Sequence, residues 1–158
     1  MITAVLGAPG SGKSTLAPLL VPLLPAHVVL DWDTFMSPAA TLAGRDIRQH
    51  PQTWPAYREL VHSIVGVMSH LPVVLFTVCT PGELTDWPIN EWLLLDCTDE
   101  ERRRRLGQQA GSTLPVDAIH DALEYRALGF RTIDTTGWAP ERAARSIAQL
   151  VQEDGPQR

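Results

Sequence analysis

The segment GAPGSGKS, residues 7–14, has the spacing of glycine, lysine and serine that is typical of phosphate-binding loops. It matches the P-loop pattern G-x-x-x-x-G-K-[ST] at every fixed position, between a predicted strand and a predicted helix. In such a loop, backbone N–H groups and the helix N-terminus attract phosphate oxygens. Lys13 is predicted to reach the β- and γ-phosphates, and Ser14 to offer its hydroxyl group to Mg²⁺. The predicted nucleoside triphosphate site comprises Gly7, Ala8, Pro9, Gly10, Ser11, Gly12, Lys13, Ser14 and Thr15.

Two carboxylates, Asp31 and Asp33, follow the second predicted strand with only Trp32 between them. Residues two apart in an extended chain point to the same face, and like charges held close together repel each other. The pair therefore requires an explanation. The bare spacing leaves three alternatives open, which are binding of a metal ion, acceptance of a proton from a substrate, and capping of a helix.

Four consecutive arginines, residues 102–105, follow the acidic segment TDEE on a predicted helix. Residues three or four apart lie on one helix face, so Arg102 can share a face with Arg105, and Arg105 can pair with Glu101. A solvated helix surface with ion pairs is the simplest explanation for such a run, and we expect it to hold for two of the four arginines.

Alternating strand and helix patterns place these residues in the chain. Apolar runs predict strands at residues 2–6, 27–30, 73–78, 92–95 and 131–133. Helical patterns begin near residues 12 and 99 and cover residues 54–69, 116–128 and 140–152. This alternation predicts an α/β fold with a parallel sheet, and such sheets bind ligands at the carboxyl ends of their strands.

Local signals predict where several helices begin and end. They are an N-cap at Thr53, a capping box at Thr98 and Glu101, and a C-cap at Gly129. Pro18 and Pro22 lie inside the first helical pattern, so we expect that helix to kink or to end near residues 20–24.

Composition and charge narrow the class of protein. The 158 residues suit one domain, predicted at 1–152, with a flexible tail at 153–158. A net charge of -5 argues against a general polyanion-binding surface, so we expect no long nucleic acid as a partner. The two cysteines form no disulfide framework, no apolar run approaches a membrane span, and the N-terminus lacks the basic region of a signal peptide. We therefore expect a cytoplasmic monomer or homodimer.

Four stretches, GAPGSGKST, DWD, LDCTDEERRRRL and DTTGWAP, together resemble the small P-loop kinase family. This nucleoside monophosphate kinase-like family includes shikimate kinase, gluconate kinase, adenylate kinase, polynucleotide kinase and chloramphenicol phosphotransferase. Within it, the chain is most similar to bacterial AAA-family ATP-binding proteins. The resemblance covers nearly the whole chain and implies a five-stranded parallel sheet of order 2-3-1-4-5, with helices on both faces. It also implies ATP and Mg²⁺ as cofactors.

The resemblance implies separate roles for the two aspartates. In the resembled kinases the first acid of D-x-D lies near Mg²⁺, often through water, which assigns Asp31 to the metal together with Ser14. The second acid binds the acceptor hydroxyl and can accept its proton, which assigns Asp33 to the acceptor. Phosphoryl transfer depends mostly on positioning and charge neutralisation, so a carboxylate that holds the attacking hydroxyl in line is useful.

The resemblance also implies a lid at about residues 106–115 that closes over ATP, with Arg102 or Arg105 on the transferring phosphate. The family often has a further arginine past the leucine of this run, where the chain has Gln108, Gln109 and Ala110. Three explanations are open. Arg102 or Arg105 alone is sufficient for the transferring phosphate, Arg126 or Arg131 reaches that phosphate instead, or turnover is slow.

A second departure concerns the third predicted strand. A Walker B strand ends in an acidic Mg²⁺ ligand, but Thr77, Cys79 and Thr80 stand where such an acid would be, and Glu83 comes later in a Pro-Gly turn. We therefore expect the metal-side carboxylate to come from Asp31. The missing acid also weighs against switch GTPases and motor ATPases, which depend on it.

Two more regions are implied as binding segments. Residues at about 34–70 are expected to select the acceptor, and Trp54 can face one pocket together with Arg58 or Tyr57. Aromatic residues at such positions are more often part of the core, and we favour that explanation for them. In the resembled kinases the loop after the fifth strand packs on adenine, mainly through backbone groups. Here that loop contains Asp134, Thr135 and Thr136.

Three hypotheses for function remain. The first, which we favour, is an ATP- and Mg²⁺-dependent phosphotransferase acting on a hydroxyl group of a small molecule, such as a nucleoside, a sugar-like metabolite or an antibiotic. The second is a nucleotide or polynucleotide 5′-hydroxyl kinase. The third is an ATP-binding regulatory protein without catalysis, which the missing Walker B acid and lid arginine keep open.

Overall fold

Five apolar runs form the strands of a parallel sheet in which β1 is central. The structure is a computed structural model, and it describes residues 1–108 and 115–153. The strands are β1 Ile2–Leu6, β2 Val28–Asp31, β3 Val73–Thr77, β4 Glu91–Asp96 and β5 Arg131–Asp134. Their order is β2-β3-β1-β4-β5. This confirms the predicted α/β fold and the strand order implied by the kinase resemblance.

Helices connect these strands and cover the sheet. Within the described residues they are α1 Lys13–Leu20, α2 Met36–Ala43, α3 Trp54–Met68, α4 Asp99–Gly107, α5 Pro115–Ala127 and α6 Pro140–Glu153. All of them except α2 were predicted, and the predicted helix and strand boundaries agree with the structure to within one residue. The hydrophobic periodicity is therefore a sufficient signal for most of this fold.

The side chains of β3 show how the sheet is held between two helical layers. Val74 and Phe76 pack on the face covered by α1 and α6, whereas Val73 and Leu75 pack on the face covered by α2 and α3. All four are buried, and each such side chain stabilises the fold by roughly 1.5–3 kcal/mol relative to an exposed one. If the register of β3 shifted by one residue, each of its side chains would move to the opposite face of the sheet. This packing therefore fixes the register of β3 and the position at which it ends.

The first helix ends where its prolines predict. Helix α1 stops at Leu20, and a 3₁₀ turn follows at Val21–Leu23 with Pro22 in its first positions. The predicted C-cap of α5 is also confirmed, since Gly129 has a φ of 72° just after the helix. Glycine adopts this left-handed conformation at little steric cost.

Two predicted helix starts need correction. The Thr98 hydroxyl accepts a hydrogen bond from the N–H of Glu101 at 3.3 Å, as in a capping box. The reciprocal bond is missing, because the N–H of Thr98 donates to Thr136 Oγ1 at 2.8 Å and Glu101 pairs with arginines instead. Thr53 is the N-cap residue of α3, as predicted, but its hydroxyl donates to the carbonyl oxygen of His50 and makes no capping hydrogen bond.

The segment between β2 and α3 contains structure that the hydrophobic pattern does not predict. A 3₁₀ turn covers Trp32–Phe35, helix α2 follows directly, and Gly44 ends it with a φ of 66°. Only Met36 and Ala39 of α2 are buried, too few to produce a helical period in the sequence.

Two predicted segments lie partly outside the described residues. Helix α4 accounts for residues up to 107 of the predicted lid, and residues 109–114 are outside. Residue 153 of the predicted tail still belongs to α6, and residues 154–158 are outside. In the described part of the chain, each helix is too short or too polar to cross a bilayer.

Candidate functional site

The predicted site residues gather at one edge of the sheet because its strands are parallel. Strand β1 runs directly into the P-loop, and its neighbours β3 and β2 end in Thr77 and Asp31. On the other side, β4 and β5 end in Asp96 and Asp134. Every strand therefore delivers a polar residue or a loop to the same edge.

The P-loop uses its glycines for conformation and for space. Gly10 and Gly12 have φ angles of 78° and 105°, which L side chains rarely adopt. A Cβ atom at Gly7 would lie 2.5 Å from Ser11 Oγ, and one at Gly10 would lie 3.0 Å from Cγ of Arg102. A Cβ atom at Gly7 would also lie 3.0 Å from the carbonyl oxygen of Leu95, so the loop is packed against α4 as well as against β4.

Backbone donors of the P-loop line a cavity of about 400 Å³, here called the P-loop cavity. Among the described residues, the N–H groups of Gly10, Gly12, Lys13 and Ser14 donate to no acceptor. These groups stand at the start of α1, where the helix dipole favours an anion. Asp33, Arg105 and Gln108 complete the wall. The arrangement suits a chain of phosphates.

Lys13 supplies a cation to the P-loop cavity. Its ammonium group donates to the carbonyl oxygens of Gly7 and Ala8. Burial lowers the pKa of Lys13 to about 8, although Asp33 and then Asp31 act in the opposite direction. Both aspartates are therefore within electrostatic range of Lys13, and a phosphate group beside it would favour its charged form.

The structure gives the two aspartates different surroundings. Asp31 is buried, and one of its oxygens accepts a hydrogen bond from the N–H of Asp33 at 3.1 Å, which caps the 3₁₀ turn. Asp33 lines the P-loop cavity, and its carboxylate lies 3.7 Å from the guanidinium group of Arg48. The helix-capping alternative is thus realised by Asp31. The turn also corrects the expectation of one shared face, because Asp31 lines a separate groove beside α1.

A second space, the aromatic chamber, adjoins the turn that carries Asp33. It measures about 210 Å³ and is lined by Trp32, Trp54, Pro55, Arg58, Cys79 and Glu83. Trp54 and Arg58 reach it from one face of α3, which is one of the two pairings that the spacing left open. The core explanation favoured for the aromatic residues holds for Tyr57, whereas Trp54 lines the chamber. The Tyr57 hydroxyl donates to the carbonyl oxygen of Trp32 and so holds the turn in place.

Arg102 holds the P-loop to the end of β4. It is 0% exposed, and one guanidinium nitrogen donates to the carbonyl oxygen of Pro9 at 2.6 Å. Another nitrogen pairs with the Asp96 carboxylate, which also accepts from Nε of Arg126 at 2.6 Å. Of the two arginines predicted to act on phosphate, Arg102 is therefore engaged with protein groups and does not line the P-loop cavity.

Arg105 lies where the P-loop cavity meets a third space along α6. Its Nη1 donates to the carbonyl oxygen of Ser11 and to Thr135 Oγ1, both at 3.1 Å. Its Nε donates to Glu101 at 2.8 Å, which confirms the predicted i, i+4 pair. Hydrogen bonds from Arg104, and further ones from Arg105, hold the pKa of Glu101 at about 2. Arg103 and Arg104 are exposed, as expected for two of the four arginines.

The third space, here called the Trp138 cavity, has mainly apolar walls and measures about 230 Å³. Leu16, Trp138, Pro140 and Ala143 form these walls, while Arg105 and Thr135 add polar groups. The guanidinium group of Arg142 lies 4.1 Å from the centre of the Trp138 ring. An apolar slot that continues from a P-loop suits the planar base of a nucleotide.

Comparison with solved structures supports the fold. No family profile and no curated protein matches the sequence. The tunicamycin resistance protein of Deinococcus radiodurans has a TM-score of 0.69 at 19% identity, covering 95% of this chain and 94% of that one. The chain has the fold of the small P-loop kinases. Shikimate kinase from Acinetobacter baumannii in complex with shikimate gives 0.62 at 21% identity, covering 99% and 95%, and a sugar kinase from Janibacter gives 0.64 at 18%, covering 98% and 95%.

Within this kinase fold, only part of the loop after β5 meets the Trp138 cavity. Thr135 lines the cavity, whereas the Asp134 carboxylate accepts a hydrogen bond from the N–H of Thr136 at 2.8 Å. The Thr136 hydroxyl in turn accepts from Thr98. Side chains of two of the three predicted residues thus shape the loop. Trp138, which lies in the DTTGWAP stretch but was not among the predicted site residues, provides the aromatic wall.

The two departures from the kinase pattern persist in the structure. Strand β3 ends without an acid, and Thr77 Oγ1 accepts a hydrogen bond from the N–H of Cys79 at 3.0 Å. The alternative arginines do not line the P-loop cavity, because Arg126 is bound to Asp96 and Arg131 lies 3.9 Å from Glu153 on the surface. The position of Gln109 lies outside the described residues.

Proposed function

We propose that the protein is an ATP- and Mg²⁺-dependent kinase that transfers the γ-phosphate to a hydroxyl group of a small molecule. The observation that carries this proposal is the position of Asp33. It lines the P-loop cavity with Lys13 and Ser14, and it follows Trp32, which lines the aromatic chamber. A carboxylate at this junction can hold an acceptor hydroxyl toward the γ-phosphate and accept its proton. The fold shared with shikimate kinase and a sugar kinase supports a small-molecule acceptor.

The proposal divides the remaining work among residues of the same edge. Lys13 and the free N–H groups of the P-loop bind the β- and γ-phosphates, and the Trp138 cavity receives the base. Arg105 neutralises phosphate charge, because it alone of the two predicted arginines lines the P-loop cavity. Arg102 keeps the loop in position through Pro9.

The residues present fit a Mg²⁺ ion that is shared with ATP. No group of three or more potential ligand side chains is found among residues 1–108 and 115–153. Mg²⁺ needs no such cage, since it is usually held by one or two carboxylates together with substrate phosphates and water. Ser14 is exposed in the P-loop cavity. Asp31 lines the groove beside α1, but it is near enough to Lys13 to act on its pKa, and one of its oxygens makes no hydrogen bond in the described structure. These two residues would hold the ion, which when bound neutralises charge on the phosphates.

The test is transfer of label from γ-labelled ATP to a pooled library of hydroxyl compounds, with the wild type beside Asp33→Asn. Loss of a general base typically lowers the rate by about 100-fold or more. We expect such a loss in Asp33→Asn with ATP affinity unchanged. Asp86→Asn is the matched control, because Asp86 is exposed and makes no hydrogen bond in the described structure.

Other results would separate the alternatives. Unchanged transfer in Asp33→Asn would remove that residue from its role while leaving a kinase. ATP binding without transfer to any compound would favour the binding protein that the missing Walker B acid keeps open. Titration of Mg²⁺ in Asp31→Asn tests the metal assignment, since the asparagine can still accept the hydrogen bond from Asp33 but carries no charge. The expected result is weaker ATP binding with Mg²⁺ and unchanged binding without it.

A further inference from the structure

The aromatic chamber is small compared with ordinary ligand sites. Its volume of about 210 Å³ falls below the roughly 300–1,000 Å³ that drug-sized ligands occupy. It can therefore enclose one ring system, and the rest of a ligand must extend outward. Because Trp32 lines the chamber and Asp33 is the next residue, the extension can reach the Asp33 carboxylate.

Two residues of the chamber wall carry N–H donors without partners. Nε1 of Trp32 and Nε of Arg58 are buried and make no hydrogen bond in the described structure. Trp32 as a whole is 1% exposed. A buried donor without a partner destabilises a protein by about 1–3 kcal/mol, so such groups are rare without a functional reason. Neither of these two atoms has accessible surface of its own. The donors that a ligand can reach are the other N–H groups of Arg58, whose side chain is 42% exposed and makes one hydrogen bond in the described structure.

The charges around the chamber do not favour an anionic ligand. Arg58 is the cation of the wall, and it already donates to the carbonyl oxygen of Glu83 at 3.1 Å and lies 3.6 Å from the Glu59 carboxylate. Glu83 lines the chamber, and Asp33, which adjoins it, lies 3.7 Å from Arg48, so the two acids balance the two arginines and leave no excess of cations. Burial raises the pKa of Cys79 to about 12, which keeps its thiol neutral.

We propose that the acceptor is an uncharged alcohol bearing a flat heterocycle with carbonyl or ring-nitrogen acceptors, as in a nucleoside. The ring packs against Trp54 and Pro55, its acceptor atoms bind the guanidinium group of Arg58, and the hydroxyl extends to Asp33. The reaction of that hydroxyl rests on the proposed kinase function. The binding of the ring does not, and it can be measured separately.

The experiment compares ligands by calorimetry with a non-hydrolysable ATP analogue and Mg²⁺ present. The probes are uridine and inosine, with methyl β-D-riboside as the same sugar without a base and gluconate as an anionic polyol. Base stacking on an aromatic side chain is worth roughly 1–3 kcal/mol. We therefore expect the nucleosides to bind at least about fivefold more tightly than the riboside or gluconate.

Two variants locate the binding in the chamber. Trp54→Ala removes a wall, and Arg58→Met removes the donors while keeping most of the side-chain length. We expect each to weaken nucleoside binding at least fivefold and to leave affinity for the ATP analogue unchanged, which also shows that the protein is folded. Val67→Ala is the control, because Val67 lies on the same helix and is 72% exposed. Arg58→Met keeps the test decisive if Trp54→Ala does not fold.

The outcomes separate the chamber from the chemistry. Equal binding of riboside and nucleosides, or nucleoside binding unaffected by both variants, would overturn the inference. Nucleoside binding without any phosphoryl transfer would support the aromatic chamber as a ring-binding site and refute the proposed kinase function. Phosphoryl transfer to gluconate that depends on Asp33, with no binding of nucleosides, would refute ring binding in the chamber and support the proposed kinase function.

Discussion

Replacing Asp96 with alanine would remove the anion that joins the P-loop to two helices. One oxygen of Asp96 pairs with Arg102 from α4, and the other accepts from Nε of Arg126 of α5. Arg102 is 0% exposed, and the only other partner of its guanidinium group in the described structure is the carbonyl oxygen of Pro9. The Asp96→Ala protein would therefore contain a buried cation without a counter-charge.

The expected effect is large for a single substitution. Removing one partner of a buried ion pair typically destabilises a protein by about 3–5 kcal/mol. At this chain length, 1 kcal/mol corresponds to roughly 2–4 °C in Tm, so we expect Tm to fall by about 6–20 °C. Asp96→Asn retains an acceptor oxygen and should lose less. Glu153→Ala is an exposed comparison, since Glu153 is 51% exposed and 3.9 Å from Arg131, and such a pair contributes at most about 1 kcal/mol.

The measurement is urea unfolding followed by circular dichroism at pH 7 without nucleotide, with the slope m compared between variants. A second measurement, the affinity for ATP, should also fall in Asp96→Ala, because Arg102 holds the backbone of Pro9. A loss of stability below about 1 kcal/mol, or one no larger than that of Glu153→Ala, would refute the importance of this buried pair.

Three other changes test the P-loop and the turn that carries Asp33. Because the pKa of Lys13 is about 8 in the free protein and phosphates favour its charged form, ATP binding at pH 8.5 should take up about 0.7 proton, and affinity should fall as pH rises further. Calorimetry in buffers of different ionisation enthalpy measures this proton uptake. A proton uptake of zero would contradict the lowered pKa of the buried Lys13. Gly10→Ala should weaken ATP binding at least tenfold, since its φ of 78° and contacts at 3.0 Å exclude a Cβ atom; Gly66→Ala, with open space around it, should not. Tyr57→Phe should lose about 1 kcal/mol in urea unfolding and, if the kinase proposal holds, lower kcat without changing ATP affinity; an unchanged stability would show that the Tyr57 hydroxyl does not hold the turn.

The fold was predictable because its signals are local and agree with one another. Strands such as β1 Ile2–Leu6 are short apolar runs, and the P-loop fixes the position and direction of the strand before it and the helix after it. The parallel order then follows from the alternation of strands with helices and from the resemblance of the motifs. The end of α1 at Leu20 was predictable for the same reason, since proline acts through its own geometry.

The site was less predictable because its roles depend on contacts between distant segments. Arg102 and Arg105 look alike in the sequence, and only the packing of α4 against the P-loop buries one and leaves the other at the cavity. Trp138 becomes a wall because α6 lies beside α1. The pairing of Asp96 with Arg126 spans thirty positions, and no local pattern indicates a bond of that kind.

The end of β3 shows how the sheet can keep a P-loop without a Walker B acid at that position. The carbonyl oxygen of Thr77 accepts a hydrogen bond from the N–H of Gly7 at 3.2 Å, so β3 still holds the loop by its backbone. Asp31 pairs in register with Phe76 on this strand, which places a carboxylate one strand away. Asp31 and Asp33 both favour the charged form of Lys13. The negative charge that a Walker B acid would provide at the end of the third strand is therefore present at the same edge, and it comes from β2 and the turn that follows it.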